Sequence, residues 1–157
     1  MRMAHCRLTG QSGHEAGRDL LAKLYREETG EALPEILITD RGKPYFADGF
    51  LHFSISHTPH HAFCVLSKDN VGIDAEERNR NINLKLAEKI LSPAEKLQFD
   101  TAADPSKALL TFWVLKEAAA KLSGEGLRGY PNDTNFSLED PRVTEIDGCL
   151  VAVLEGE

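Results

Sequence analysis

Between Asp104 and Gly124 the chain has few options other than a single helix. Asp104 is a strong N-cap residue, and Gly124 stands where a left-handed C-terminal residue is wanted. The helix expected from Pro105 to Leu122 carries Glu117 and Lys121 four residues apart, so a carboxylate and an ammonium share one face. Upstream, Val71-Gly72-Ile73-Asp74-Ala75-Glu76 reads as a short apolar strand in which Asp74 and Glu76 alternate onto a common face. If strand end and helix face meet, three carboxylates surround a hard cation with a lysine beside them, a donor set suited to a diphosphate bound to Mg²⁺. Taken singly the same residues are ordinary. An Asp-x-Glu at a strand end is most often a solvated pair, and Glu117 with Lys121 is a surface ion pair contributing about 0.3–0.5 kcal/mol.

The rest of the chain alternates strand and helix without a strict βαβ period, which indicates the α+β class. Residues 3–8 form a candidate strand, followed by a helix from Ser12-Gly13 to about Thr29 with Leu20, Leu21, Leu24 and Tyr25 on its apolar face and Gly30 at its end. Ile36-Leu37-Ile38 reads as a strand, and Asp40-Arg41-Gly42 with Pro44 as a turn. A hairpin is expected next. Leu51, Phe53 and Ile55 point one way and His52, Ser54 and Ser56 the other, with Ala62-Phe63-Cys64-Val65-Leu66 as the returning central strand. Val71 to Ile73 is expected to pair after the Lys68-Asp69-Asn70 turn. Helical pattern runs from about Leu84 to Leu91, then a Ser92-Pro93-Ala94-Glu95 capping box opens a short helix to about Phe99. Val143–Ile146 and Cys149–Leu154 flank Asp147-Gly148 as a closing hairpin.

At 157 residues the chain suits one domain. A net charge of −7 argues against nucleic-acid binding, which needs a basic footprint. No apolar run is long enough to span a bilayer and no signal peptide is evident, so a cytoplasmic protein with no membrane partner is expected. Cys6, Cys64 and Cys149 are odd in number and sit in apolar contexts, which indicates buried free thiols. His57, His60 and His61 invite a zinc reading, but Pro59 breaks the spacing that would align three ligands, and zinc is not expected.

Gly42-Lys43-Pro44, the strand ending in Ser56-His57, Val71-Gly72-Ile73-Asp74-Ala75-Glu76, the run Trp113 to Lys121 containing Lys116-Glu117-Ala118, and Gly124-Glu125-Gly126-Leu127 follow one another in a fixed order. In these motifs the chain resembles the 4′-phosphopantetheinyl transferases of the single-chain, Sfp-like branch. The resemblance covers residues 42 to about 130 and implies two similar α/β halves with mainly antiparallel strands packed by helices, in one domain over 1–157 with approximate sub-halves 1–70 and 71–157. Members of that branch are normally longer, so the N-terminal half is read as abbreviated. Arg7, Arg18, Lys23, Arg26 and Arg41 are the only candidates there for coenzyme contacts.

The resemblance implies Mg²⁺ on Asp74, Glu76 and Glu117, Glu117 or a metal-bound water as the base, and Lys121 as a cation for charge developing on phosphate, whether or not Lys121 also pairs with Glu117. Lys43, Ser56 and His57 become candidate contacts to the phosphates of coenzyme A. Ser56 bonding a turn amide and His57 satisfied by backbone are the plainer alternatives, and Lys43 also fits a simple chain reversal. Trp113 is expected in the core or a pocket wall, with Leu109, Phe112 and Ala119 in the core; spacing assigns Lys116 no role. The implied activity is Mg²⁺-dependent transfer of the 4′-phosphopantetheine arm of coenzyme A to a serine of an apo acyl or peptidyl carrier protein, by a monomer, with release of 3′,5′-ADP. Arg78, Arg80, Lys85 and Lys89 are the densest basic run for meeting an acidic carrier, with an apolar rim around Leu127 and Tyr130 as the other docking surface. Two alternatives stand beside it: a catalytically inactive carrier-protein or nucleotide-binding module that keeps the fold, and a Mg²⁺-dependent phosphohydrolase.

Overall fold

In the computed structural model, which describes residues 1–126 and 134–156, two three-stranded antiparallel sheets each carry one long helix. The first sheet has the order β1 (Arg2–Arg7), β5 (His61–Ser67), β4 (His52–His57), and α1 (Gly13–Thr29) packs on it. The second has the order β6 (Val71–Glu77), β8 (Cys149–Glu155), β7 (Val143–Ile146), and α4 (Pro105–Ser123) packs on it. β2 (Ile36–Ile38) and β3 (Pro44–Phe46) make a separate small hairpin around the Gly42-Lys43-Pro44 turn, and sequence patterning gave no sign of β3. The mixed helix and antiparallel-sheet class is as expected. No helix among the described residues is long and apolar enough to cross a membrane.

Local chemistry accounts for the helix boundaries. Ser12 caps α1 through the amide of Glu15, and Asp104 caps α4 through the amide of Lys107. The capping box at Ser92 and Glu95 is closed in both directions and starts α3 (Pro93–Asp100). The helical pattern expected over Leu84–Leu91 is instead a 3-10 turn at Leu84–Leu86 and a single turn α2 (Ala87–Ile90). Leu91 and Ser92 are extended because Ser92 must act as an N-cap in front of Pro93, which breaks any continuous helix. In the β7–β8 turn both central residues have positive φ, 48° at Asp147 and 79° at Gly148, the geometry of a tight hairpin whose twist matches its strands.

The pairing expected for Val71–Ile73 is corrected. β5 already has β1 on one edge and β4 on the other, so it has no edge to offer β6. β6 pairs with β8 instead, with Asp74 opposite Ala152. The other edge of β6 lies along β4 and is joined to it by side chains. Ser54 Oγ accepts the amide of Ile73 at 3.1 Å, and Ser56 Oγ accepts the amide of Ala75 at 3.1 Å. Both serines are buried, so the polar face of β4 is the seam between the two sheets. A buried amide left without an acceptor would cost about 1–3 kcal/mol, which is why hydroxyls are needed at these two positions.

Three apolar clusters hold the layers. Leu20, Leu21, Leu24 and Tyr25 of α1 pack with Phe46, Phe53 and Leu66, while Leu109, Leu110, Phe112 and Leu115 of α4 pack with Ile90, Leu150 and Leu154. The third, built from Phe63, Val65, Val71, Ile73 and Val151, joins the sheets. Each of these side chains contributes about 1.5–3 kcal/mol on burial. Cys64 and Cys149 lie in this core as free thiols, whereas Cys6 is only half-buried, because β1 is an edge strand.

Candidate active site

β6 approaches α4 more closely than side chains allow. A Cβ on Gly72 would collide with the carbonyl oxygen of Ala118 and the amide of Leu122, so only glycine lets strand and helix meet backbone to backbone. Two residues along the strand, Asp74 is brought under the helix face that carries Glu117 and Lys121. Its Oδ1 accepts from Ser56 Oγ at 3.2 Å and faces Lys121 Nζ at 3.4 Å. Its Oδ2 is buried without a hydrogen-bond partner. Burial, with the charges of Glu117 and Glu76 adding to it against Lys121, pushes the Asp74 carboxyl up to about 7. A carboxylate oxygen orphaned at such a depth is costly, and it suits a site that takes a hard cation.

Glu117 is half-buried, and burial raises its carboxyl above the usual range, helped by Glu76 and opposed by Lys121 and Arg80. Lys121 does not close an i, i+4 pair with Glu117. It reaches across to β4 and β6, donating to the Ile55 carbonyl at 3.1 Å and facing Asp74. Glu76 is taken up by Arg80, whose Nη1 donates to Oε1 at 2.8 Å. The guanidinium of Arg80 in turn lies 5.6 Å from the ring centroid of Trp113, one helical turn before Glu117. The three carboxylates are therefore in electrostatic reach of one another, but among the described residues no three His, Cys, Asp or Glu side chains are gathered closely enough to hold a metal ion as they stand.

A cleft of about 230 Å³ opens beside this junction, lined by Arg41, Lys43, Phe53, Ser54, Glu117 and Lys121 among others. Lys43 enters it from the β2–β3 turn, yet its ammonium is held by the Asn70 side chain at 2.7 Å and the Leu122 carbonyl at 2.9 Å, at the C-terminal end of α4. Burial lowers its pKa. Ser56 is only 4% exposed, with its hydroxyl committed to Asp74 and Ala75. His57 is exposed at the end of β4, and its ring packs on the backbone of Gly13 at the start of α1, away from the residues that line the cleft. Of the N-terminal cations, Arg41 lines the cleft and Arg7 is engaged by Asp147 through two contacts of 2.8 Å.

The neighbouring histidines serve a different junction. His60 Nδ1 lies 2.7 Å from Glu77, and His61 Nε2 lies 2.9 Å from Asp147, with Cys149 Sγ 3.5 Å from its Nδ1. In the basic run beyond β6, Arg78 pairs with Glu145 at 2.9 Å and Arg80 with Glu76, while Lys85 and Lys89 are exposed. Leu127 and Tyr130 lie outside the described residues.

Lys116, which spacing left without a role, is buried with Glu95 at 2.8 Å. The same Glu95 accepts the amides of Ser92 and Phe136, and Gln98 bonds both the Phe136 carbonyl and the Leu138 amide. The ammonium also lies 3.3 Å from the Thr134 carbonyl and over the Phe136 ring. The capping box announced the position of Glu95 at N3 of α3, but nothing in the sequence pairs it with Lys116, because Lys89, Lys96 and Lys107 all lie closer along the chain.

The family model described as the 4′-phosphopantetheinyl transferase superfamily matches residues 70–150, from the start of β6 into β8. The chain belongs to the 4′-phosphopantetheinyl transferase superfamily. Among curated members, it is 36% identical over 88 residues to the 4′-phosphopantetheinyl transferase gsp of Aneurinibacillus migulanus, 55% of this chain and 36% of that protein. It is 36% identical over 115 residues to the 4′-phosphopantetheinyl transferase AcpT of Escherichia coli, 69% of this chain and 56% of that one. With a 4′-phosphopantetheinyl transferase of Bacillus subtilis it shares 30% identity over 93 residues, 57% of this chain and 41% of the relative. The chain thus spans about a third to just over half of the length of these phosphopantetheinyl transferases.

Proposed function

We propose that this chain carries a phosphopantetheinyl transferase site, moving the 4′-phosphopantetheine arm of coenzyme A onto a serine hydroxyl of an apo carrier protein. The observation that carries the reading is the convergence of Asp74, Glu117 and Lys121 where β6 meets α4, with Asp74 Oδ2 unpartnered inside it. Asp74, Glu76 and Glu117 would hold Mg²⁺, which when bound neutralises the diphosphate and makes its phosphorus more electrophilic.

The protein's own groups supply the remainder. The serine oxygen forms a bond to the phosphorus nearer the pantetheine as the bond from that phosphorus to the bridging oxygen breaks, and 3′,5′-ADP leaves with the electron pair. Glu117, whose pKa is raised by burial, accepts the serine proton. Lys121, at the edge of the cleft, holds charge on the transferred phosphoryl oxygens. Lys43, Ser56 and His57 belong to the same reading as contacts to the coenzyme phosphates. For Lys43 this requires its ammonium to leave Asn70 and Leu122, and for Ser56 its hydroxyl to leave Asp74.

The reading extends to the whole of 1–157 as one domain with sub-halves 1–70 and 71–157. What supports it is the shared strand order: in both sheets the first strand of the half pairs with its last, and the last with the one before it. A monomer in the cytoplasm, serving carrier proteins and no nucleic acid or membrane, completes the proposal. Incubation with coenzyme A and Mg²⁺ over a panel of apo carrier proteins tests it. The expected result is a carrier mass increased by one phosphopantetheine arm with equimolar 3′,5′-ADP. Coenzyme A binding without transfer to any carrier would favour the noncatalytic module, and coenzyme A cleavage without carrier the phosphohydrolase.

A further inference from the structure

Glu76 is expected to face a cation and does so already, because Arg80 occupies it. We propose that Arg80 is the acidic site's built-in counter-cation and that a divalent cation enters by exchanging with its guanidinium on Glu76. The inference rests on the metal reading proposed above for Asp74, Glu76 and Glu117.

Three observations place Arg80 in this role. Its backbone is fixed by the turn that ends β6, donating to the Glu77 carbonyl at 2.9 Å and accepting from the Ile82 amide at 3.0 Å. The guanidinium is then trapped between the Glu76 carboxylate, at 2.8 Å, and the face of Trp113, at 5.6 Å from the ring centroid. Trp113 lies four residues before Glu117 on α4, so the stacked guanidinium bridges the strand that carries two of the carboxylates and the helix that carries the third. Lys121 already faces Asp74. Arg80 thus gives Glu76 a cation of its own, as Lys121 gives one to Asp74, and the repulsion among the three carboxylates is partly offset before any metal arrives.

The exchange has a simple chemical basis. Guanidinium is a weakly hydrated, planar cation that satisfies one carboxylate at a time, while Mg²⁺ takes oxygens from several carboxylates and from phosphate at once. A half-exposed ion pair is weak enough to be displaced. The aromatic face of Trp113 gives the released guanidinium a place to remain, so the apo site stays assembled and the loaded site stays in register.

Calorimetric titration of Mg²⁺ into the intact protein, the Arg80→Gln variant and the Arg80→Lys variant tests this, with the emission of Trp113, the chain's single tryptophan, as a second readout. Arg80→Gln is expected to bind Mg²⁺ about three- to tenfold more tightly than the parent, as one unit charge is removed from a partly screened site. Arg80→Lys keeps the charge and is expected to bind as weakly as the parent. In the parent, Mg²⁺ should also shift the Trp113 emission as the guanidinium moves. If Arg80→Gln binds Mg²⁺ no better than a parent that does bind it, the counter-cation role is overturned while the metal reading stands. If neither parent nor variant binds Mg²⁺, the metal reading itself fails and takes this inference with it.

Discussion

The ammonium of Lys116 lies 2.8 Å from Glu95 Oε1, and the two side chains are 2% and 0% exposed. A lysine one position before the candidate base is thereby locked to the N-terminus of α3 and to the chain at 134–138, and its azimuth sets that of Glu117, about 100° further round the helix. Breaking a buried pair from one side leaves an uncompensated charge. Lys116→Met is expected to destabilise the fold by about 3–5 kcal/mol, and adding Glu95→Gln to it to recover part of that loss. Urea unfolding of the parent, both single variants and the double variant measures the coupling; additive losses would mean that the two groups act independently.

Glu117→Gln keeps the volume of the side chain while removing a negative charge and the proposed proton acceptor. It is expected to abolish transfer with the melting temperature unchanged or raised, since a half-buried carboxylate with a raised pKa is relieved of its desolvation. Normal turnover at ordinary Mg²⁺ in this variant would remove Glu117 from the site.

Asp147 predicts a pH dependence. Hydrogen bonds from Arg7 and then from His61, with their charges, hold its carboxyl well below the usual carboxylate range. A depressed folded-state pKa contributes stability that is present in full above the unfolded value of about 3.9 and is lost as the pH falls through the folded value. Asp147→Asn keeps the left-handed turn, which asparagine tolerates, so it isolates the charge. The parent should be more stable than the variant at pH 7, and the difference should shrink only below about pH 4. A gap that stays constant down to pH 2 would place the effect in the turn and not in the ion pair.

Burial pushes the thiol of Cys64 up to about 12 and that of Cys149 up to about 11, and both lie in the core; Cys6 is half-buried on an edge strand. Alkylation at pH 8 should therefore modify Cys6 alone in the folded protein and all three thiols in denaturant, as read by intact mass. Rapid modification of Cys149 under native conditions would show that the junction around His61 opens.

The motifs of the second half were legible because each has a local physical cause: alternation places Asp74 and Glu76, helical spacing places Glu117 and Lys121, and caps fix both ends of α4. Long-range pairing was not. Nothing near Val71 announces that its partner strand is Cys149–Glu155, and the preference for a neighbouring strand pointed to β5, whose edges were already filled. Ser54 and Ser56 read as a polar face, which is correct, but that face is covered by another strand. Arg80 looked like a docking cation because a sequence does not reveal that its side chain folds back over Trp113. Lys121 looked like the partner of Glu117 for the same reason, as helical spacing proposes partners only within the helix.

The contact at Gly72 gives the junction a property unlike that of most ligand sets. Side chains can swivel to suit a larger or smaller guest, but here the clearance between strand and helix is set by main chain resting against main chain. It behaves as a fixed gauge. The spacing between the strand that carries Asp74 and Glu76 and the helix that carries Glu117 is set before any ligand arrives, so only the side chains are left to adjust. A single added methyl at position 72 would act as a wedge that no rotamer could remove, and strand and helix would have to part to admit it.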